Sequence, residues 1–294
     1  MTNVKTTFSN FCLGTVQFGM EYGLKNIKKI KIQKNEISKI FKFFYNNGGL
    51  FVDTAQNYGE SEKNISEYLK KETKVITKIY FDKKNELNKS IEKSLNNLNI
   101  TKLNTVLIHN PESLKYSDDP IDQLIKLKEK NYTDNIGISI YSYSDILDLP
   151  SQLSNQIFSE IDVLQVQSNA FDKHFYNTKE LSKLNPNIRI DRRSIFLQGL
   201  LLQNIENASK LFPDFTNELK LWDEYCKNYS LSKIEAALFN IPNLYNKDSL
   251  VLFGCRNLNE IKEILTAVQN IKNIKCKKFN KIFPKKLIDP RQWK

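Results

Sequence analysis

Eight short apolar runs rich in β-branched residues alternate along this chain with longer stretches whose apolar residues recur at helical spacing. The runs are Cys12–Val16, Leu50–Asp53, Lys74–Lys78, Thr105–His109, Asn135–Ser139, Val163–Gln167, Ile188–Ile195 and Ser249–Phe253. Between them, Ile37, Ile40, Phe41 and Phe44 fall on one helical face, as do Leu87, Ile91, Leu95 and Leu98. Gly48-Gly49 supplies a stop after the first of these helices. Repeated strand–helix units predict a parallel sheet. Eight of them favour a closed α/β architecture, the (β/α)8 TIM barrel, over an open doubly wound sheet. Neither Gly-x-Gly-x-x-Gly nor Gly-x-x-x-x-Gly-Lys-Ser/Thr is present, so the two common nucleotide-binding fingerprints are absent.

At 294 residues and 40% hydrophobic content the chain can bury one large core, and residues 1–294 read as a single domain. No Gly/Ser-rich or Pro-rich linker divides it. The longest connection between candidate strands, from Gln203 to Asn246, contains helical patterns at Glu218–Tyr225 and Lys233–Phe239. No stretch approaches the roughly 18–20 apolar residues of a membrane span. The start, Met1 to Phe8, lacks the apolar core of a leader, so a cytoplasmic protein that does not engage a membrane is expected. Cys12, Cys226, Cys255 and Cys276 form no Cys-x-x-Cys pair and read as reduced structural residues. With only His109 and His174 in the chain, no metal site is expected. The formal charge of +11 comes mostly from lysines scattered over helix faces, which is a solvated surface. A cluster at Lys272, Lys275, Lys277 and Lys278 would attract phosphates. Nucleic-acid binding is not expected, because no recognised module and no basic patch interleaved with aromatics is found.

Three of the runs end in a residue with chemistry. Phe51-Val52 ends in Asp53, Val75-Ile76-Thr77 in Lys78, and Val106-Leu107-Ile108 in His109, while Tyr58 follows Asp53 by five residues. In a barrel of parallel strands all four emerge at the carboxyl-terminal face, where barrel enzymes build their sites. Singly, each has an ordinary reading: a surface Tyr or Lys, a turn-forming Asp, a His opening a turn at Asn110-Pro111. Together they are hard to obtain by chance.

Asp53-Thr54-Ala55 with Tyr58-Gly59 and Ser61-Glu62, followed by Lys78 and His109, resembles the aldo-keto reductases. The likeness runs from Leu13-Gly14-Thr15 to Gly254-Cys255-Arg256-Asn257. The resemblance implies a (β/α)8 barrel that reduces aldehydes or ketones with NADPH or NADH. Hydride addition to a carbonyl puts negative charge on its oxygen, which must be protonated and stabilised. Tyr58 is the candidate acid, with a neighbouring Lys78 ammonium favouring its ionised form. Asp53 would pair with Lys78, and His109 would orient the carbonyl. His174 is given no chemistry.

For the cofactor, the resemblance implies Gly14 and Thr15 at the first strand, Ser139 and Gln165 against the carboxamide, and Arg193, Leu197 and Gly199 along the nicotinamide and pyrophosphate. Ile140 stands where many relatives have Asn, Arg193 where many stack an aromatic ring, and Asn169 reads as structural. At the last strand, Gly254, Arg256, Asn257, Glu260 and Glu263 resemble an adenosine-phosphate site at a helix start. Arg256 suits the 2′-phosphate of NADPH, the expected cofactor, whereas Glu260 suits the free ribose hydroxyls of NADH. Phe18, Tyr22, Tyr80, Phe81 and Tyr141 are candidates for an apolar mouth. The wording of Gly14–Gly19 and of Arg193–Gly199 resembles bacterial relatives associated with surface-polysaccharide or sugar biosynthesis, which implies a sugar-derived small-molecule carbonyl. The alternatives are a cofactor-binding regulatory or interaction subunit with little turnover, and a phosphate-binding barrel isomerase or lyase. The latter explains the βα units but not the four residues. Oligomeric state is not legible.

Overall fold

A computed structural model describes residues 8–24, 32–81, 87–116, 119–176, 185–242, 244–245 and 249–293. The first seven residues, read above for a leader, lie outside these, as does Asn246. Among the described residues eight parallel strands close into a barrel in sequential order. They are β1 (Phe11–Gly14), β2 (Phe51–Asp53), β3 (Lys74–Ile79), β4 (Leu103–Ile108), β5 (Thr133–Ile140), β6 (Val163–Gln167), β7 (Arg189–Arg193) and β8 (Val251–Gly254). Each overlaps a run read from the sequence, with ends displaced by at most two residues. β1 pairs with both β2 and β8, which completes the closure.

Side chains alternate across a strand, so one set faces the barrel axis and the other the helices. The structure separates the two sets into distinct apolar clusters. Cys12, Ile76, Leu107, Val163, Leu250 and Leu252, with Phe51 against them, form the small inner one. Leu13, Val52, Val75, Val106, Ile138 and Val166 point outward into the main core shared with the helices. Two residues beyond an inner apolar residue, the same face turns polar: Phe51 leads to Asp53, Ile76 to Lys78, Leu107 to His109, Val163 to Gln165. The period of two therefore delivers the chemistry-bearing residues to one end of the barrel axis. Deeper in the barrel, Arg189 reaches across to Thr105 Oγ1 at 3.4 Å and pairs with buried Asp191 at 3.0 Å.

The helix Lys34–Asn46 buries Ile37, Ile40, Phe41 and Phe44 and ends just before Gly48-Gly49; Leu87–Leu98 buries its own predicted stripe. In the long connection, helices span Thr216–Asn228 and Lys233–Phe239. The second is opened by a reciprocal cap: Ser232 Oγ accepts from the Glu235 N–H at 3.2 Å, and Glu235 Oε2 accepts from the Ser232 N–H at 2.9 Å. Among the described residues no helix is long and apolar enough to cross a membrane.

Candidate active site

The loop carrying Tyr58 is tied to the barrel on two sides. Ser61 Oγ donates into the turn after β1, 2.8 Å from the Thr15 carbonyl, while Glu62, buried, accepts from Thr77 Oγ1 at 2.8 Å and Asn97 Nδ2 at 3.0 Å. Gly19 lies so close beneath this loop that a Cβ there would stand 1.9 Å from the Tyr58 carbonyl oxygen. Gly59 turns the chain with φ +57°, a conformation that favours glycine, and a Cβ on it would stand 2.5 Å from the Gly19 oxygen. The motif glycines thus allow a close backbone contact that fixes the phenol.

Lys78 is almost fully buried and pairs with Asp53. Its Nζ also donates to the Thr54 carbonyl at 3.1 Å and lies 3.5 Å from the Tyr58 hydroxyl. The other Asp53 oxygen accepts from Gln165 Nε2 at 2.9 Å, across the barrel from β6. His109 is held by its backbone N–H, which donates to Ile79 at 2.8 Å. Its ring meets the Tyr58 ring edge-on with centroids 5.7 Å apart and stacks on Tyr80 at 5.0 Å. Among the described residues, His109 Nδ1 is buried with no hydrogen-bond partner. All four sequence-predicted residues line one cavity of about 940 Å³.

The electrostatics depart from expectation at Tyr58. Burial, reinforced by the Asp53 carboxylate, pushes the phenol well above its ordinary value. The Lys78 ammonium, expected to lower it, is already matched by Asp53. Burial, with help from the Lys78 and Arg193 charges, pulls the His109 imidazole down to about 3. His174 behaves oppositely, because its Nδ1 lies 2.7 Å from Asp172 and that contact raises its pKa.

Gly14, Thr15, Ser139, Gln165, Arg193, Gly199, Gly254, Arg256, Glu260 and Glu263 also line the cavity. Some are engaged already. The Thr15 hydroxyl is buried and bonded to the Asp53 carbonyl at 2.9 Å, and Ser139 Oγ accepts from Arg193 Nε at 3.0 Å. Glu260 accepts from Arg256 through the guanidinium, 2.6 Å away, and through the Arg256 backbone N–H at 2.7 Å. Two expected cofactor contacts need correction. Leu197 is fully buried in the main core, because a non-glycine left-handed backbone at Ser194, Leu197 and Gln198 turns it inward. Asn257 caps the helix Leu258–Asn270, its Oδ1 accepting from the Glu260 N–H at 2.9 Å, and does not line the cavity. Of the aromatic candidates, Tyr22, Tyr80 and Tyr141 line the cavity, whereas Phe18 and Phe81 are core. Asn169 is structural, accepting from the N–H groups of Phe171 and Asp172 at 3.0 Å.

Sequence reasoning missed Gln17, Gln198, Lys233 and Arg291, which line the same cavity. None ends a strand. Arg291 arrives from the carboxyl-terminal segment, and only the turn-like Asp289-Pro290 before it hints that the chain doubles back there.

Over residues 10–283 the chain matches the model of the aldo/keto reductase family. It is 27% identical over 154 residues to norsolorinic acid reductase B of Dothistroma septosporum, a match covering 51% of this chain and 36% of that relative. The match thus spans little more than a third of that relative's length. Two solved structures from Pseudomonas aeruginosa described as aldo-keto reductases superpose with TM-scores of 0.63 and 0.61, at 15% and 16% identity. The first alignment covers 93% of this chain and 100% of the other, the second 90% of each. At that identity the likeness speaks for the barrel alone. The family match over nearly the whole chain goes further: this protein belongs to the aldo/keto reductase family.

Proposed function

We propose that the chain works as one barrel domain that reduces an aldehyde or ketone to an alcohol, with Tyr58 as the proton donor. The observation that carries this reading is the meeting, at one cavity, of the buried Lys78–Asp53 pair, the Tyr58 hydroxyl 3.5 Å from Lys78 Nζ, and the unpartnered His109 Nδ1. The relative named as a norsolorinic acid reductase supports reduction as the direction.

The residues present fit a nicotinamide dinucleotide. The cavity lies at the upper end of the usual range for ligand pockets, about 300–1,000 Å³. Among the described residues, Gln165 Oε1 and Gln17 Oε1 are buried acceptors with no partner, suited to the N–H groups of a carboxamide. When bound, the dihydronicotinamide supplies the hydride. Tyr58, kept protonated by burial, then holds a proton for the carbonyl oxygen as charge develops there. The bond to the phenolic proton breaks as the new O–H bond forms, and Lys78 Nζ, 3.5 Å from the Tyr58 oxygen, is placed to donate a hydrogen bond to the oxygen left behind. A neutral His109 offers one N–H to orient the carbonyl without giving up a proton of its own.

Arg256 favours the 2′-phosphate of NADPH, but Glu260 takes both its guanidinium and its backbone N–H and would repel a phosphate. On this geometry we place NADH ahead of NADPH. A sugar-derived carbonyl remains the substrate class that the motif wording suggests, and the expected setting is the cytoplasm.

The test begins with fluorescence titration of NADH and NADPH, read on buried Trp222 and on Trp293, followed by a panel of aldehydes and ketones that includes reducing sugars. Tyr58→Phe is expected to lower turnover by about 10²- to 10⁴-fold while cofactor affinity stays within threefold. Failure of both cofactors to bind removes the proposal. Binding that survives Tyr58→Phe with no turnover in either form favours a regulatory subunit.

A further inference from the structure

Among the described residues, five cationic side chains line the cavity, and four of them are matched. Lys78 pairs with Asp53, Lys233 with Asp223 at 2.7 Å, Arg256 with Glu260 at 2.6 Å, and Arg291 with Asp289 at 2.9 Å. Arg193 is the fifth. Among the described residues no carboxylate pairs with it. Its guanidinium donates only to neutral groups: Nε to Ser139 Oγ at 3.0 Å, Nη1 to Ser194 Oγ at 3.2 Å and Nη2 to the Ile140 carbonyl at 3.1 Å. A guanidinium carries five N–H groups, so two remain.

The head group is also held in place. Its central carbon lies 4.0 Å from the centroid of the Tyr141 ring, and the central carbon of Arg291 lies 4.0 Å from the same centroid. Two planar cations that close to one centroid can only sit on opposite faces of the ring. Arg291 is anchored in turn by Asp289 and by Asp145, 3.6 Å away. The stack Arg193–Tyr141–Arg291 is thus tethered at its far end by carboxylates and left without an anion at its near end. That near end lines the same cavity as Tyr58 and His109. A half-buried cation without a counter-ion is costly, and an arriving anion would relieve that cost.

We propose that Arg193 is the specificity-determining residue, and that the physiological carbonyl compound carries an anionic group, carboxylate or phosphate, which docks on its two remaining N–H groups. The inference rests on the reductase reading above and adds the charge class of the substrate. Arg suits the task because its planar fork grips a carboxylate or phosphate at two points.

The experiment compares kcat/KM, at saturating cofactor, for matched pairs: a 2-oxo acid against its methyl ester, and a phosphorylated aldose against the free aldose. The wild type is expected to prefer the anionic member of at least one pair by about 10- to 150-fold, the span of a charge-assisted hydrogen bond. The pair that shows the preference tells carboxylate from phosphate. Arg193→Gln is expected to abolish the preference and Arg193→Lys, which keeps the charge but not the fork, to retain part of it. Equal use of both members by the wild type, or a preference that survives Arg193→Gln, overturns the proposal. So does an equal loss on both members, which would place Arg193 on the cofactor instead. Calorimetry with succinate and inorganic phosphate, with and without NADH, reads the same site without turnover. Binding by the wild type that Arg193→Gln removes supports the proposal, and no binding by the wild type overturns it. Absence of turnover on every carbonyl would instead defeat the reductase reading.

Discussion

Glu260 grips Arg256 twice, by a 2.6 Å contact to the guanidinium and a 2.7 Å hydrogen bond from the backbone N–H. The cation proposed above to meet a 2′-phosphate is therefore paired with its own neighbour four residues on. Glu260→Gln should release it and shift the NADPH:NADH affinity ratio toward NADPH by about 10- to 100-fold, the worth of one or two charge-assisted contacts. Paired fluorescence titrations of wild type and variant measure the shift. An unchanged ratio would mean that the 2′ position is read elsewhere.

Lys78 and Asp53 form an ion pair that water scarcely reaches. Removing one partner strands the other as a buried charge, so Lys78→Met should destabilise the fold by about 3–5 kcal/mol as well as abolish turnover. The double variant Lys78→Met/Asp53→Asn should recover much of that stability while remaining inactive. Urea unfolding of the single and double variants separates the two effects, and a double variant as unstable as the single would refute the account.

The chain has only two histidines, and they should titrate on opposite sides of the ordinary value near 6.5. His109, lowered to about 3, stays neutral throughout the physiological range. Between about pH 3 and 6.5 the unfolded chain binds a proton at this position that the folded one refuses. Its contribution is therefore fully present above 6.5 and is lost on acidification, by at most about 1.4 kcal/mol per pH unit. His174 is raised by Asp172, so its smaller, solvent-screened contribution is present at low pH and fades as pH rises through its folded pKa. An NMR titration of the two imidazole signals checks both signs at once.

Because Tyr58 is raised by burial and by Asp53, the site holds its proton well into the alkaline range. The rate of carbonyl reduction should show no acidic limb from His109 between pH 6 and 7 and no loss of the donor until well above neutrality. A bell-shaped profile with an apparent pKa near 6.5 would contradict the assignment of His109 as neutral.

Strands and inward-facing residues were legible because both depend on a local period. Alternation within β2, β3 and β4 places Asp53, Lys78 and His109 on the axis whatever the rest of the chain does. Residues that reach the cavity from connections escaped notice, since nothing in the spacing around Lys233 or Arg291 records which distant strand they approach. The errors at Leu197 and Asn257 share a cause. Each lies beside true lining residues in sequence, but a left-handed backbone turns the first into the core and a helix start consumes the amide of the second. The direction of the Tyr58 shift was misjudged for another reason: an ammonium acts on its neighbours only by the charge that its counter-ion leaves over.

The contact between Gly19 and the Tyr58 loop leaves no room for even one methyl group. Such a close backbone contact holds the Tyr58 loop against the barrel, which makes Tyr58 part of the chassis rather than of the moving parts. Adaptation to a new carbonyl must then come from segments that share no such contact, among them the carboxyl-terminal stretch bearing Arg291. Grafting that stretch from another barrel should change the cavity mouth without disturbing the setting of Tyr58.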